Sequence, residues 1–149
     1  MPSSLFLLDT NVLLALIRGR ELGSRIDARF GLRSSSVKPL ACIVSHGELW
    51  ALAAVNRWND ARREEIRAML ENVVTLGISD SEVIDAYVEV YSVLRRVPSG
   101  SRTNSGENDM WIAAASRAAG AILLTTDRHF DPLHPTVISQ EYIDPAAAR

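Results

Sequence analysis

Four acidic residues stand where apolar segments of this chain end or begin. Asp9 follows Leu5-Phe6-Leu7-Leu8, and Glu48 comes just after Cys42-Ile43-Val44. Asp109 opens an apolar helix, and Asp127 follows Ile122-Leu123-Leu124-Thr125-Thr126. A short apolar run of this kind is the signature of a strand buried on both faces. In an open parallel α/β sheet the ends of such strands, and the helix starts beside them, gather at one edge. Four segments would then deliver four carboxylates to one place. Like charges repel, so the cluster is costly unless a cation neutralises it or the groups take up protons. The chemistry this points to is the binding of a divalent metal.

Each acid also has a local structural role open to it. Asp9 suits the N-cap of the helix that follows. Ser45-His46-Gly47-Glu48 fits a capping box, in which Ser caps the helix and Glu reaches back three residues later. Asp109 sits in a first helical turn, where the helix dipole favours an acid by roughly 0.3–1 kcal/mol. Asp127 repeats the placement of Asp9 on a second strand. Glu107 and Asp131 are reserve ligands, with Asp131 better explained as a turn acid before Pro132. Asn11 either holds the turn after Asp9 or positions a ligand. Ser79 to Glu82 forms a second capping box, and Glu82 is read as capping only. His46, His129 and His134 show no metal-site spacing, and none is assigned to catalysis.

The elements that must position these residues alternate along the chain. Strands are expected at 5–8, 40–44, 73–78 and 121–125, with a short edge strand at 136–138. Helices are expected at 12–17, 23–30, from Ser45 through Val55, at 60–71, at 79–97 and at 109–119. Val83, Tyr87, Val90, Leu94 and Val97 recur at helical spacing. Asn108 is expected to cap the last helix and Gly120 to end it. Pro98 to Gly106 reads as an exposed loop. Strand–helix alternation predicts one α/β domain over residues 1–149, with a mainly parallel sheet of four to five strands.

Composition narrows the partners. The chain has 149 residues, 47 % hydrophobic and 23 % charged, with a formal charge of −2. Such a balance is that of an ordinary globular protein, and any contact with nucleic acid must come from a local basic surface. Arg95, Arg96 and Arg102 precede Asp109, and Arg128 follows Asp127; these are candidate nucleic-acid phosphate contacts. Lys38 is the only lysine. Cys42 is alone in an apolar run and reads as a reduced core residue. No signal peptide, membrane span or zinc-ligand pattern is read, so a cytoplasmic location is expected.

Taken in order, four motifs resemble those of a PIN domain, and specifically of VapC toxins from bacterial toxin–antitoxin pairs. They are Leu7-Leu8-Asp9-Thr10-Asn11-Val12-Leu13-Leu14, Ile43-Val44-Ser45-His46-Gly47-Glu48-Leu49, Asn108-Asp109-Met110-Trp111-Ile112-Ala113-Ala114-Ala115 and Leu123-Leu124-Thr125-Thr126-Asp127. The resemblance implies a PIN-like three-layer fold, a twisted parallel sheet flanked by helices. It implies a Mg²⁺- or Mn²⁺-dependent ribonuclease with Asp9, Glu48, Asp109 and Asp127 as the acidic site. It places the hydroxyl of Thr126 near the metal. It further implies structured RNA substrates such as tRNA or rRNA, a small VapB-like antitoxin partner, and a homodimer. The helices carrying Trp50, Trp58, Met69 and Leu70 either pack these side chains into the core, the commoner role for most of them, or offer an antitoxin helix an apolar groove. The segment 106–109 departs from the pattern by an extra acid, Glu107.

Two other readings compete. Phosphoryl-transfer and receiver domains also place acids at strand ends, but Asp9-Thr10-Asn11 lacks the second acid of an Asp-x-Asp motif. No late-strand Lys and no Gly-rich phosphate loop is present. The second alternative is a non-catalytic RNA- or protein-binding module on the same fold, which the presence of all four acids disfavours.

Overall fold

Successive strand residues point to opposite faces of a sheet, and here both faces are covered. Leu7, Leu40, Cys42 and Leu123 face one core; Leu8, Ala41 and Leu124 face another. That double burial explains why these strands read as unbroken apolar runs. The computed structural model describes residues 4–96 and 106–146. Its elements are β1 (Phe6–Leu8), α1 (Thr10–Arg18), α2 (Glu21–Phe30), β2 (Leu40–Cys42), α3 (Ile43–Val55) and α4 (Asp60–Glu71). They continue with β3 (Val74–Leu76), α5 (Ser81–Arg96), α6 (Glu107–Ala119), β4 (Ile122–Thr125), a 3-10 helix (Arg128–Leu133) and β5 (Ser139–Tyr142).

The five strands pair in the order β3-β2-β1-β4-β5, every pair parallel. The first core holds α6 residues Ile112, Ala113 and Ala115, α5 residues Val90 and Leu94, and Phe130 and Leu133. The second holds Val12, Leu13, Leu16, Ile26, Leu49, Ala53 and Ile66 from α1 to α4. The expected three-layer α/β architecture is therefore present. After β1 the chain builds outward through β2 and β3, then returns to lay β4 on the other side of β1. The gap beyond β1 and β4 is thus the switch point, where open α/β sheets bind ligands.

Several boundaries differ from expectation. β2 ends at Cys42, and Ile43 and Val44 already belong to α3, whose N-cap is Cys42. Ser45 therefore lies inside α3, and the expected capping box with Glu48 does not form. Likewise α6 starts at Glu107 with Gly106 as its N-cap, so Asn108 is inside the helix. α5 starts at Ser81, two residues after Ser79, which removes the second capping box. The edge strand is 139–142 rather than 136–138. Val137 and Ile138 are buried, and their N–H groups donate to the carbonyl of Leu133 in a turn. The end of the helix expected to run to Val97, and the loop from Pro98 to residue 105, lie outside the described residues.

α1 and α2 approach closely at Gly23. A Cβ placed there would lie 2.3 Å from the carbonyl oxygen of Ala15, a backbone atom with no freedom to yield. Gly23→Ala is expected to lower stability by about 1–3 kcal/mol, read as a lower urea midpoint with unchanged slope. Trp50, Trp58, Met69 and Leu70 are half-buried against the second core, with Arg67 and Arg62 over the two indoles. They serve packing first.

Candidate metal centre

Asp9 leaves β1 in extended conformation and caps α1, so its capping and site roles coexist. Thr10 N–H donates to its Oδ1 at 2.8 Å, and the Thr125 hydroxyl donates to its Oδ2 at 2.7 Å. Its own N–H donates to Leu124 O at 3.0 Å, which ties the position to β4. The residue is only 3 % exposed. Burial pushes its pKa up to about 7 against the pull of both hydrogen bonds, and the charges of Asp109 and Asp127 add to the rise.

Glu48 stands on the second turn of α3 and accepts from the Thr10 hydroxyl. Thr10 Oγ1 is also 2.8 Å from Ser45 Oγ. A hydroxyl has one proton, so Thr10 donates to Glu48 and Ser45 donates to Thr10. Asn108 Nδ2 reaches the other Glu48 oxygen at 3.4 Å. Glu48 is thus aimed outward by a hydroxyl relay from α1 and by α6, and not turned back as a cap.

Asp109 occupies the first turn of α6, and its Oδ2 lies 3.1 Å from His129 Nδ1. Burial raises its pKa, His129 opposes the rise, and Asp127 and Glu48 add to it. Asp127 follows β4 and accepts from Asn11 Nδ2 at 3.0 Å, while its N–H donates to Thr125 Oγ1 at 3.0 Å. One buried hydroxyl, on Thr125, therefore links the acid after β1 to the acid after β4.

The four acids line one cavity of about 430 Å³ with Thr10, Asn11 and Asn108, walled on one side by Ala51, Leu52 and Val55. Larger cavities of about 530 and 610 Å³ lie between α1 and α4 and beside α5. Neither contains any of the four, and donor chemistry outranks size here. Among the described residues no three acidic, histidine or cysteine side chains close into a ready-made coordination shell. Mg²⁺ retains several waters and takes few direct carboxylates, so an all-oxygen set with room for water suits it. A protonation-prone, buried Asp9 surrounded by other acids also suits a cation.

Of the other candidates, Asn11 is at the site. Thr126 is half-buried, and Thr125 supplies the hydroxyl that reaches Asp9. Glu107 and Asp131 are exposed and do not line the cavity; Asp131 instead pairs with Arg128 at 3.5 Å. Arg128 also stacks over Tyr142 at 3.8 Å. Arg95 lies over Tyr91, Arg96 is exposed at the end of α5, and Arg102 falls outside the described residues. Sequence reasoning missed Thr10, Ser45, Thr125 and His129. The only available signal was polarity inside or beside apolar runs.

A parallel sheet with four acids gathered at its switch point defines an α/β protein with an acidic site where open sheets bind ligands. The chain belongs to the PIN domain family, whose profile matches residues 6–133; this is a family of nucleases. No curated protein sequence matches the chain. Among solved structures, VapBC2 from Rickettsia felis, bound to a DNA fragment from its promoter, is similar with a TM-score of 0.74 at 16 % identity. It covers 93 % of this chain and 98 % of that one. VapBC-1 from nontypeable Haemophilus influenzae gives 0.66 at 23 % identity, covering 93 % and 97 %. VapBC-5 from Mycobacterium tuberculosis, of the VapBC family of toxin–antitoxin systems, gives 0.63 at 21 %, covering 95 % and 100 %. At these identities the likeness is one of fold. No helix among the described residues is long and apolar enough to cross a membrane.

Proposed function

We propose that the chain is a divalent-metal-dependent endoribonuclease acting as the toxin of a toxin–antitoxin pair. One observation carries this reading: Asp9, Glu48, Asp109 and Asp127 line a single cavity at the switch point of a PIN sheet. Asp9, Glu48 and Asp109 would hold Mg²⁺ or Mn²⁺, directly or through water, with Asp127 orienting water or serving a second ion. Such an ion, when bound, supplies hydroxide at neutral pH and offsets charge on the phosphate and leaving oxygen. The chain's own residues fix the carboxylates beforehand. Thr125 and the Thr10 N–H hold Asp9, the Ser45–Thr10 relay holds Glu48, Asn11 holds Asp127, and His129 holds Asp109. Carboxylate ligands held this way lose little freedom on binding a cation.

His129 gives a separable prediction. His129→Ala is expected to weaken Mn²⁺ binding by about 10–100-fold in calorimetry, with its melting temperature little changed. His129→Asn, which places an amide N–H near Nδ1, should recover part of that loss. Unchanged affinity in the alanine variant would remove His129 from the site.

The substrate is proposed to be structured RNA, tRNA or rRNA, with Arg128, which follows Asp127, and Arg95, Arg96 and Arg102, which precede Asp109 in the sequence, as its phosphate contacts. The structural neighbours being VapBC complexes supports a small antitoxin partner and a homodimer. A cytoplasmic location follows from an RNA target. The test is incubation of the purified chain with total RNA and Mn²⁺, with and without chelator. Discrete cleavage that chelator stops is expected; intact RNA in both arms would favour the non-catalytic binding module.

A further inference from the structure

The end of α3 is built differently from the other helix ends. It closes a Schellman turn, in which Trp58 N–H donates to Ala53 O at 3.0 Å and Arg57 N–H donates to Ala54 O at 3.3 Å. Such a turn needs one residue in the left-handed region, where a side chain crowds the backbone and glycine is the default. α1, α2 and α6 end on a left-handed glycine, at Gly19, Gly31 and Gly120. α3 puts Arg57 there, at φ 51°, the one non-glycine residue with positive φ among the described residues. A residue held in this strained region points to a use for its side chain. The helix end itself does not need it. A cation beside the last carbonyls of a helix is favourable, but Arg63 already takes that place. Its Nε donates to Trp58 O at 3.1 Å and its Nη2 to Ala53 O at 3.4 Å. Arg57 is exposed, and its side chain makes no hydrogen bond or ion pair with any described residue.

We propose that Arg57 is a phosphate contact for the RNA strand that enters the acidic site. The inference rests on the ribonuclease reading above and gives that site a basic edge. Ala51, Leu52 and Val55 follow Glu48 by three, four and seven residues, so they share its face of α3. All four line the acidic cavity, and Val55, at 80 % exposed, is the last of them. Arg57 comes two residues later, so its backbone lies at most about 7 Å from that of Val55. A strand whose scissile phosphate sits among the acids must leave the cavity across a rim. Neither the acids nor the apolar wall of α3 can hold its next phosphate. A guanidinium at the rim can, with two N–H groups to two oxygens. Arg128 is less free to do so, because it pairs with Asp131 and lies over Tyr142. The acids also repel RNA before a cation is bound, and a positive charge at their edge opposes that repulsion.

Binding of labelled, unfractionated tRNA to the full chain over a salt series tests this, in the Asp9→Asn background so that RNA stays uncut. Arg57→Gly is expected to weaken binding by about 3–10-fold. It should also lower the slope of log affinity against log salt by about 0.7–0.9, the share of one phosphate. Its Tm should equal or exceed that of its parent, because glycine relieves the left-handed turn. Arg57→Lys keeps the charge and should keep the slope. Arg18→Ala, at the end of α1 away from the acids, is the control for bulk charge. If the wild type cleaves total RNA with Mn²⁺ but Arg57→Gly binds tRNA with its parent's affinity and slope, the ribonuclease reading stands and the contact is overturned. An equal fall in Arg18→Ala, or a slope lost in Arg57→Lys, overturns it as well. A wild type that neither cleaves total RNA nor binds tRNA overturns the ribonuclease reading itself, and the contact with it.

Discussion

Asp9→Asn is expected to abolish RNA cleavage, by about a thousandfold or more, while the metal-free protein becomes more stable at pH 8. The two effects have one cause. Asp9 is 3 % exposed, and burial lifts its pKa to about 7. At pH 8 it is charged without a cation, and that charge opposes folding. Asparagine keeps the shape and removes the charge. Its oxygen can accept from Thr10 N–H, and its amide can donate to Thr125 Oγ1, which must give up the bond it now donates. The lost hydrogen bond costs about 1 kcal/mol, less than the relief of the buried charge. A Tm above that of the wild type at pH 8, with cleavage absent, is the expected pair of results. A folded Asp9→Asn protein of full activity would falsify the assignment.

The second large effect is the pH dependence of the wild type itself. The folded pKa of Asp9, about 7, lies above its unfolded value near 3.8. The folded state thus binds the proton more tightly. The resulting stability is fully present below pH 3.8 and is lost as pH rises through 7. Between pH 5 and pH 8 the loss amounts to about 2–3 kcal/mol, or a fall in Tm of about 5–10 °C. Asp9→Asn should show this component of the slope removed, so the difference between the two curves isolates it. Adding Mn²⁺ at pH 8 should restore the wild type by mass action and leave the variant unmoved. Parallel wild-type and variant curves across this window would show that Asp9 is not the titrating group.

The limit of apolar patterning as a guide to structure is clearest at α3. The run Leu40 to Val44 read as a strand, but only 40–42 is one. Val44 continues the apolar run because the start of α3 packs there on the first core, whereas Ile43 is exposed, and a short apolar run at a helix start looks like a strand in composition. That two-residue error turned Ser45 into a cap. In the fold Ser45 is fully buried and feeds Thr10, 35 residues earlier. The four acids were legible because each sits at a break in apolar patterning. Their supporting hydroxyls and His129 were not, since a Thr within or beside an apolar run is ordinary in composition. Only the sheet order reveals that Thr125 meets Asp9 across 116 residues. The polar edge strand 139–142 escaped for a similar reason. Exposed edges need no apolar run, and the apolar Val137-Ile138 pair beside it packs as a turn.

The central claim is that four carboxylates at the switch point form one divalent-cation site. Calorimetric titration of the purified chain with Mn²⁺ at pH 7.5 tests it most directly, with Asp9→Asn and Asp109→Asn alongside. The account predicts saturable binding to the wild type, proton release in proportion to the neutral fraction of Asp9, and loss of binding in both variants. Binding of equal strength in the wild type and in folded variants of both acids would contradict it.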